Sequence, residues 1–542
     1  MNPGITTRAG RREWVGLAVL TLACLLYAMD LSVLYLAVPS LSADLQPSSA
    51  QLLWITDIYG FLLAGSLVTM GTLGDRIGRR RLLLTGAATF GVASVLAAYA
   101  TSASMLIAAR ALLGVAGATL APSTLSLLRT MFADPRQRTL AIAVWISSFQ
   151  AGGAVGPLLG GVLLEWFWWG SVFLLAVPVM ALLLGLGPRL LPEYRDPDAG
   201  RLDLPSAGLS LAAVLLVIYG LKQLAQDGPG WPPALLLLAG LAVGVGFARR
   251  QQTSAGPLLD MSLFRSPAFS ASLATYLLGL FIAFGTFLFT TQYLQSVLGL
   301  SPLVAGLWTV PEAGALIVGS LLTPLLARRA RPGLVMAAGM VLAAVGLGLL
   351  TRLDGGNGLA VVVAGTVVFS LGLAPVVTLA TDLIVSSAPP QRAGAAAGIA
   401  ETSAEFGGAL GIAIPGVLGT AIYRSEVTDA VPAEIPSQAA AAARGTLGGA
   451  LAAARQLPDQ LGAALLDSAR QAFTQGLQVT AASSAALAVV LAILAAALLR
   501  GVRPGSQPDQ QPNPSHAETG AARLGVETRT QEPSYQEDGD AA

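Results

Sequence analysis

Apolar runs separated by short polar segments fill the chain between residues 14 and 500. Most runs are about 20 residues long, the length that an α-helix needs to cross the hydrocarbon core of a bilayer. The pattern therefore predicts an all-α integral membrane protein. The fourteen predicted membrane-spanning helices lie at 14–37, 52–72, 82–101, 104–129, 139–164, 169–190, 205–224, 233–250, 267–297, 302–326, 333–351, 359–386, 393–422 and 477–500.

Composition supports this interpretation and removes several functional classes. Of the 542 residues, 54% are hydrophobic and 11% are charged, whereas soluble domains carry about 25% charged residues. Cys24 is the only cysteine, and His516, in a polar tail, is the only histidine. We therefore expect a transporter rather than an enzyme, with no metal, no cofactor and no nucleic-acid partner. Any proton carrier within the membrane must then be an Asp or a Glu.

Basic residues are distributed unevenly among the predicted loops. If the amino terminus is cytoplasmic, the cytoplasmic segments hold 24 of the 31 basic residues and the outer segments hold six, Lys222 among them. Cytoplasmic loops are enriched in Lys and Arg, so the distribution predicts that both termini are cytoplasmic. The Ala- and Arg-rich, Lys-poor composition is typical of a high-GC bacterial genome, which indicates a bacterial inner (plasma) membrane.

An internal repeat relates the two ends of the membrane region. The string GGAVGPLLGGVL at 152–163 returns as GGALGIAIPGVL at 407–418, an offset of 255 residues, and the same offset brings Asp57 near Glu312. Parallel repeats are a transporter architecture. The domain prediction is an N-terminal six-helix bundle, a linker with two inserted helices and a C-terminal six-helix bundle, at 1–190, 191–250 and 251–500.

Two segments fall outside the predicted helices. Residues 424–476 are interpreted as a long outer loop, rich in Ala and Gln, whose leucine pattern predicts two short amphipathic helices. This loop either gates the outer opening or only covers it. Residues 501–542 are rich in Pro, Gln and Glu, a composition typical of a disordered tail, here cytoplasmic.

The loop between the second and third predicted helices carries the most specific motif. It reads LGDRIGRRR at 73–81, where a glycine permits a tight turn and Asp75 can cap a helix or pair with an arginine across an interface. It is also a basic loop that helps to set topology. The pattern resembles the loop motif of the major facilitator superfamily, and the resemblance covers nearly the whole chain. It implies the major facilitator fold and a conformational latch formed by Gly71, Asp75, Arg76, Gly78, Arg79 and Arg80.

The fifth predicted helix contains columns of small residues. Small residues every four positions let helices pack closely, and a proline bends the helix. Beyond this packing, GGxxGPxxGG resembles the signature of the antiporter branch of the same superfamily. The resemblance implies export, and the residues that carry it are Gly152, Gly156, Pro157, Gly160 and Gly161.

Acidic residues inside predicted membrane helices mark a candidate transport pathway, because an ionised carboxylate at the bilayer centre costs about 2.5–3.5 kcal/mol on insertion scales. Their contexts resemble the fourteen-helix drug:proton antiporter family, of the QacA-like quaternary ammonium and multidrug exporter type. The alternative for each acid is an interfacial position, and Asp382 is interpreted in that way. The five candidates are Asp30, Asp57, Glu312, Glu401 and Glu405.

Charge and spacing suggest a role for each candidate. Arg110 cannot lose its proton, so it is either part of a structural ion pair or the electrostatic partner of a proton-carrying acid. The resemblance implies the second role, with Asp30 as the proton-coupling acid. Glu401 and Glu405 are four residues apart and share a helix face. With Asp57 and Glu312, they are the candidates for recognising the substrate cation, because an acidic cavity favours cations.

These features together predict a proton-coupled antiporter that exports hydrophobic, largely cationic drugs, dyes or disinfectants. We expect a monomer in the lipid bilayer, driven by the proton motive force, whose ligands are lipophilic cations and protons. One alternative is a dedicated exporter of a single antibiotic or metabolite, which substrate profiling distinguishes. A less favoured alternative is a nutrient importer or a transport-dead sensor; energised accumulation of substrate inside cells would support the importer.

Overall fold

α-Helices make up almost all of the computed structural model, which describes residues 8–195, 203–254, 259, 261–353, 358–430 and 435–501 and contains no strand in these ranges. Fourteen helical stretches in this part of the chain are long and apolar enough to cross a membrane, and α6 with α7 forms one of them. The predicted all-α fold with fourteen spans is confirmed. The helices are α1 (Arg11–Leu45), α2 (Ser49–Ile77), α3 (Arg79–Ala98), α4 (Ala103–Met131), α5 (Pro135–Trp166), α6 (Ser171–Leu174), α7 (Ala176–Leu190), α8 (Leu204–Asp227), α9 (Trp231–Thr253), α10 (Pro267–Gln292), α11 (Pro302–Arg329), α12 (Pro332–Leu350), α13 (Gly358–Ser387), α14 (Ala393–Ala430), α15 (Ser437–Gly445), α16 (Leu447–Ala454) and α17 (Asp459–Leu498).

Capping residues begin several helices where the sequence changes from polar to apolar. At the start of α2, the Ser48 hydroxyl accepts a hydrogen bond from the Gln51 backbone N–H at 3.2 Å, and the Gln51 side chain accepts one from the Ser48 N–H at 3.0 Å. Ser102 and Ser301 cap α4 and α11 with their hydroxyls. Each cap contributes about 1 kcal/mol and fixes where its helix starts.

Asp203 caps α8 and ties it to the end of α9. Arg250 donates to its carboxylate from Nε at 3.1 Å and from Nη2 at 3.0 Å, and the Ser206 hydroxyl donates to it at 2.6 Å. These hydrogen bonds, those of Arg250 first, lower the pKa of the Asp203 carboxyl to about 2. The carboxylate is therefore ionised at neutral pH, and α8 and α9 are held together as a hairpin at this end.

Equivalent glycines make close helix contacts in both halves of the chain. A Cβ atom at Gly152 of α5 would collide with the carbonyl of Leu25 in α1, and a Cβ atom at Gly407 of α14 would collide with the carbonyl of Leu277 in α10. α5 therefore packs on α1 as α14 packs on α10. This is the packing that a repeat with an offset near 255 residues predicts.

The predicted outer loop at 424–476 is wrong in its bounds. α14 continues to Ala430 and α17 begins at Asp459, so helix covers much of the segment. The two short helices predicted there are present as α15 and α16. The predicted tail lies, after Gly501, outside the described residues, as do residues 196–202 of the predicted linker.

Tertiary contacts explain why these helices continue beyond the apolar runs. The Tyr423 hydroxyl at the end of α14 donates to the Ala443 carbonyl of α15 at 2.8 Å. The Gln475 amide of α17 donates to the Glu426 carboxylate of α14 at 3.0 Å. Hydropathy falls in these extensions, but alanine is the best helix former, and the cross-helix hydrogen bonds stabilise the last turns.

Candidate functional site

A buried ion pair joins α1 to α4 in the N-terminal half. Arg110 Nη1 lies 3.2 Å from Asp30 Oδ2, and its Nε donates to the Ile55 carbonyl of α2 at 3.1 Å. The guanidinium carbon lies 4.9 Å from the centroid of the Tyr59 ring. Three helices therefore position one carboxylate against one cation, as the sequence interpretation of Asp30 and Arg110 requires. Their part in proton coupling stays a prediction.

The chemistry of this pair is asymmetric. The Arg110 side chain is 2% exposed and its guanidinium keeps its proton, so only the Asp30 carboxyl can change charge. Protonation of Asp30 removes the counter-charge of a buried cation and leaves the Tyr59 ring and the Ile55 carbonyl as its partners. Asp30 also lines a small crevice together with Phe173 and Ala176. The pair can thus exist in two states that differ by one proton.

Two carboxylates one helical turn apart lie on α14. Glu401 is 8% exposed, and its Oε1 atom has no hydrogen-bond partner among the described residues. Buried tyrosines from three neighbouring helices lie in the same region of the bundle: Tyr27 of α1, Tyr59 of α2 and Tyr276 of α10. Burial of an ionised group without a partner is costly, so this position suits either a bound proton or a bound cation.

Asp57 is paired with a cation that the sequence analysis did not connect to it. Lys222 Nζ lies 2.6 Å from Asp57 Oδ1, and the two side chains are 40% and 19% exposed. Lys222 lies near the end of the candidate span Leu204–Leu224 of α8, and its place among the outer cations stays a prediction. The acids are therefore opposed by two cations within the helices, Arg110 and Lys222, and not by Arg110 alone.

Glu312 belongs neither to the ion pairs of Asp30 and Asp57 nor to the Glu401–Glu405 pair. It follows Pro311 in α11, is partly exposed, and forms no ion pair or hydrogen bond within the ranges that the structure covers. The sequence repeat relates it to Asp57, but the lysine that pairs with Asp57 comes from α8, a helix outside that repeat. Cation recognition by Glu312 stays a prediction that rests on its place in the sequence.

The latch residues form a contact between the two halves of the chain. Arg79 Nε donates to Asp75 Oδ1 at 2.9 Å, and Asp75 accepts the backbone N–H groups of Gly394 at 3.0 Å and Ala395 at 2.9 Å. Gly394 and Ala395 lie in the first turn of α14, whose N–H groups have no partners within the helix. Asp75 of α2 therefore caps α14, where the helix dipole favours a negative charge.

The other latch residues lie near this contact, at what we call the Asp75 side of the bundle, and several of them bond within the N-terminal half. Gly78, at φ +112°, makes the turn between α2 and α3 in a conformation that favours glycine. A Cβ atom at Gly71 would collide with the Gly394 carbonyl. Arg80 donates to the carbonyls of Pro188 and Leu191, at 3.1 Å each, and Arg76 lies in the last turn of α2.

Sequence analysis missed two further contacts on the Asp75 side. Asp382 was interpreted as interfacial, but it is 8% exposed, and it accepts hydrogen bonds from Arg138 Nε at 2.8 Å and from the Thr139 hydroxyl at 2.6 Å. The guanidinium of Arg129 donates to the carbonyls of Val385 and Ser386 at the end of α13. The sequence shows the basic residues around the connection between α4 and α5, but the sequence analysis related them to membrane topology alone.

We expect Asp75→Asn to weaken closure on the Asp75 side. The substitution leaves Arg79, which is 1% exposed, without a counter-charge and weakens two charge-assisted hydrogen bonds. The closed state should lose about 2 kcal/mol, a shift of about thirtyfold in the closed-to-open ratio. The measurement is the distance between spin labels on cysteines placed at the exposed Arg81 and Arg331, in a Cys24→Ser background.

Asp134→Asn is the matched control for that variant, because Asp134 caps α5 on its own helix and asparagine caps equally well. It should leave the distance distribution unchanged. A distribution for Asp75→Asn that matches the wild type would contradict the latch assignment.

The antiporter-type residues of α5 have two different environments. Gly152, Gly156 and Gly160 are buried along one column. Gly153 and Gly161 are exposed, and a Cβ atom at either position would meet open space. The first column therefore permits the close α1–α5 contact, whereas the second faces away from packed neighbours. The side chain of Pro157 lies outside what the structure describes.

Comparison with known proteins shows a match to one family model and similarity to bacterial efflux and resistance proteins. The family model described as Major Facilitator Superfamily matches residues 20–412. The multidrug efflux pump LfrA of Mycolicibacterium smegmatis is 46% identical over 88% of this chain and 94% of its own length. The methyl viologen resistance protein SmvA of Salmonella typhimurium is 35% identical over 87% and 95%, and the tetracenomycin C resistance and export protein of Streptomyces glaucescens is 33% identical over 86% and 88%.

Solved structures agree on the fold. The human organic anion transporter MFSD10 is similar with a TM-score of 0.58 over 89% of this chain and 99% of that chain, at 17% identity. At this identity, the likeness concerns the arrangement of helices alone.

Proposed function

This chain belongs to the Major Facilitator Superfamily, and on that premise we propose that it is a proton-coupled antiporter that exports hydrophobic, largely cationic compounds. As a member it is a multi-pass membrane transporter of small molecules and not an enzyme. The observation that carries the proposal is the unpartnered, buried oxygen of Glu401 beside Glu405. The Asp30–Arg110 pair packs on Tyr59, whose ring centroid lies 4.9 Å from the Arg110 guanidinium carbon.

The names of relatives support a cationic substrate. LfrA is described as a multidrug efflux pump and SmvA as a methyl viologen resistance protein. Methyl viologen is a flat dication, and two carboxylates one turn apart on a helix suit two positive charges better than one. Trp54, which is 47% exposed and lies one turn before Asp57 in α2, offers a ring face to a lipophilic cation. A QacA-like preference for quaternary ammonium compounds is part of this proposal.

The proposed cycle alternates access to the acids from the two sides of a bacterial inner membrane. The Asp75 side and both termini are cytoplasmic in this proposal, in line with the distribution of basic residues. An inward-open state accepts the cation on Glu401 and Glu405. Closure of the Asp75 side exposes these acids outward, external protons neutralise them and Asp30, and the cation leaves. Each charge that crosses the membrane contributes about 2.3 kcal/mol per 100 mV.

Dye efflux from everted membrane vesicles tests the proposal. Vesicles that contain the protein should take up a fluorescent lipophilic cation when their lumen is acidified, and should release it when the pH gradient is collapsed. The energy for uptake comes from proton flow out of the lumen. Vesicles without the protein are the control. Uptake that persists after the gradient is collapsed, or that never exceeds the control, argues against proton-coupled export.

We expect Glu401→Gln and Glu405→Gln to impair export of dications more than export of monocations. Loss of one carboxylate removes the partner of one positive charge, so methyl viologen export should fall by about tenfold or more and tetraphenylphosphonium export by about threefold or less. Transport rates in proteoliposomes at matched protein content measure both. Glu165→Gln is the matched control, since Glu165 is exposed near the end of α5. Equal losses for the two cations contradict a role in charge recognition.

A dedicated antibiotic exporter is the second candidate, favoured by the similarity to the tetracenomycin C resistance and export protein. Both candidates use the same fold and proton chemistry and differ only in the breadth of substrates. Export rates for a panel of lipophilic cations and neutral polycyclic antibiotics distinguish them. Activity on one compound alone supports the dedicated exporter.

A further inference from the structure

The inserted helix α8 lies against both halves of the transporter. Val214 and Ile218 of α8 form a buried cluster with Phe61 of α2, and Phe406 and Ala409 of α14 pack against that cluster. Helix α14 carries Glu401 and Glu405, and α2 carries Asp57. α8 is therefore adjacent to the acids of both halves, although it belongs to neither copy of the sequence repeat.

Lys222 of α8, the only lysine of the chain, brings a cation to these acids. Its Nζ lies 2.6 Å from Asp57 Oδ1 and 4.7 Å from the centroid of the Phe61 ring. Glu405 of α14 precedes Phe406, which packs on the same α8 cluster, so its carboxylate lies within the reach of the Lys222 charge. A carboxylate in direct contact, an aromatic face and a second carboxylate are the groups that recognise an organic cation.

We propose that Lys222 is a built-in competitor, whose ammonium occupies a cation site formed by Asp57, Phe61 and Glu405 and is displaced when a substrate cation binds. The inference rests on the proposed function in one respect, that the substrate is a cation. It adds a specificity-determining residue on an inserted helix, and it assigns Phe61 and the Asp57 carboxylate to one cation site.

Exposure distinguishes this pair from the buried ion pair of the latch. The Lys222 side chain is 40% exposed, whereas Arg79 in the latch is 1% exposed. A lysine has a flexible four-carbon stem and no fixed fork of donors, and an exposed ion pair is weak. The ammonium can therefore leave Asp57 when another cation takes its place. A substrate cation must bind this site more tightly than the Lys222 ammonium does. This requirement favours large, poorly hydrated cations with aromatic character.

The first test measures tetraphenylphosphonium binding to the purified full-length protein in lipid nanodiscs. Lys222→Met should lower the Kd by about tenfold, since the competitor is gone and Asp57 is unpaired. Lys222→Arg should bind as the wild type or more weakly. The gain should disappear in Lys222→Met/Asp57→Asn. Gln223→Met, the neighbouring substitution on α8, is the matched control and should leave the Kd within about twofold of the wild type.

The second test uses the unaltered protein, so it does not depend on the folding of a variant. The rate at which an amine-acylating reagent modifies Lys222 is followed by mass spectrometry, a site-specific readout because the chain has one lysine. Saturating tetraphenylphosphonium should accelerate acylation by severalfold, because the displaced ammonium is no longer held by Asp57. An unchanged or slower rate overturns the proposal, as does a Kd for folded Lys222→Met that is equal to or higher than that of the wild type, or a gain that persists without Asp57.

These outcomes are separable from failure of the proposed function. The first test measures equilibrium binding and the second an acylation rate, and neither involves a gradient or transport. If the everted vesicles show no pH-driven efflux while tetraphenylphosphonium still displaces Lys222, the exporter proposal fails and the competitor proposal stands. If efflux is normal while displacement is absent, the reverse holds.

Discussion

Asp30→Asn is expected to abolish pH-driven efflux, reducing transport in everted vesicles to the level of vesicles that lack the protein. The amide has nearly the same shape as the carboxyl and can still accept a hydrogen bond from Arg110, which lies 3.2 Å away. It cannot take up a proton in the working pH range. If Asp30 couples substrate movement to protons, the variant binds and exchanges substrate but cannot extract work from a pH gradient.

Two measurements make this expectation specific to coupling. Tetraphenylphosphonium binding and exchange without a pH gradient should remain, while proton release on substrate addition should vanish. Asp44→Asn is the matched control, because Asp44 is an exposed acid on the same helix and should leave coupled efflux within about twofold of the wild type. Undiminished proton release from Asp30→Asn would refute the assignment.

Stability is the foreseeable complication, because removal of one partner of a buried ion pair typically costs about 3–5 kcal/mol. Arg110 keeps two partners in Asp30→Asn, the Ile55 carbonyl and the Tyr59 ring, so part of this cost is avoided. The double variant Asp30→Asn/Arg110→Gln removes the unpaired cation and should recover expression without recovering coupling. If the double variant regains pH-driven efflux, Asp30 is a structural acid only.

Gly71→Ala is expected to block transport at the step that closes the Asp75 side. The added Cβ atom would collide with the carbonyl of Gly394 in the facing helix, and a backbone atom cannot rotate away as a flexible side chain can. The two halves must then stay apart at this point. Because the conflict exists only in the closed state, the protein should still fold and insert, but efflux should fall by at least about tenfold.

Gly60→Ala in the same helix is the matched control, since a Cβ atom at Gly60 meets nothing within 4 Å. The labels at Arg81 and Arg331 should report a longer mean distance in Gly71→Ala and the wild-type distribution in Gly60→Ala. Gly71→Val should increase the effect. Wild-type efflux rates in both Gly71 variants would show that the close contact between α2 and α14 is not needed for the transport cycle.

Much of the fold could be predicted from the sequence because the bilayer constrains it so strongly. Apolar runs of about 20 residues have one stable form in a membrane, since every backbone polar group must be satisfied within the helix. The fourteen spans followed from that constraint. The predicted bounds of the 424–476 segment were wrong for the opposite reason. Outside the hydrocarbon region of the membrane, hydropathy no longer indicates where a helix lies. Alanine propensity and contacts such as Tyr423 with Ala443 then decide where helices end.

The sequence predicted which residues belong to the candidate site, but it predicted fewer of the pairs that these residues form. Asp30 and Arg110 were linked through a family resemblance, and the ion pair is present. Asp75 was expected to cap a helix or to pair with an arginine across an interface. It caps α14 of the other half, but its arginine partner, Arg79, lies in its own half. Asp382 was interpreted as interfacial because it lies near a helix end, but its partner Arg138 comes from a distant segment. Position along a helix does not reveal such a partner.

Sequence by itself determined that the chain is a fourteen-helix membrane transporter with acids in its spans, because the cost of burying polar groups in lipid acts on each residue separately. Tertiary structure alone decided which charges meet. The sequence analysis placed Lys222 among the outer cations. In the structure its ammonium pairs with Asp57, because an inserted helix that the repeat does not predict brings it there. A contact between residues 165 positions apart depends on how helices pack and not on the local pattern around either residue.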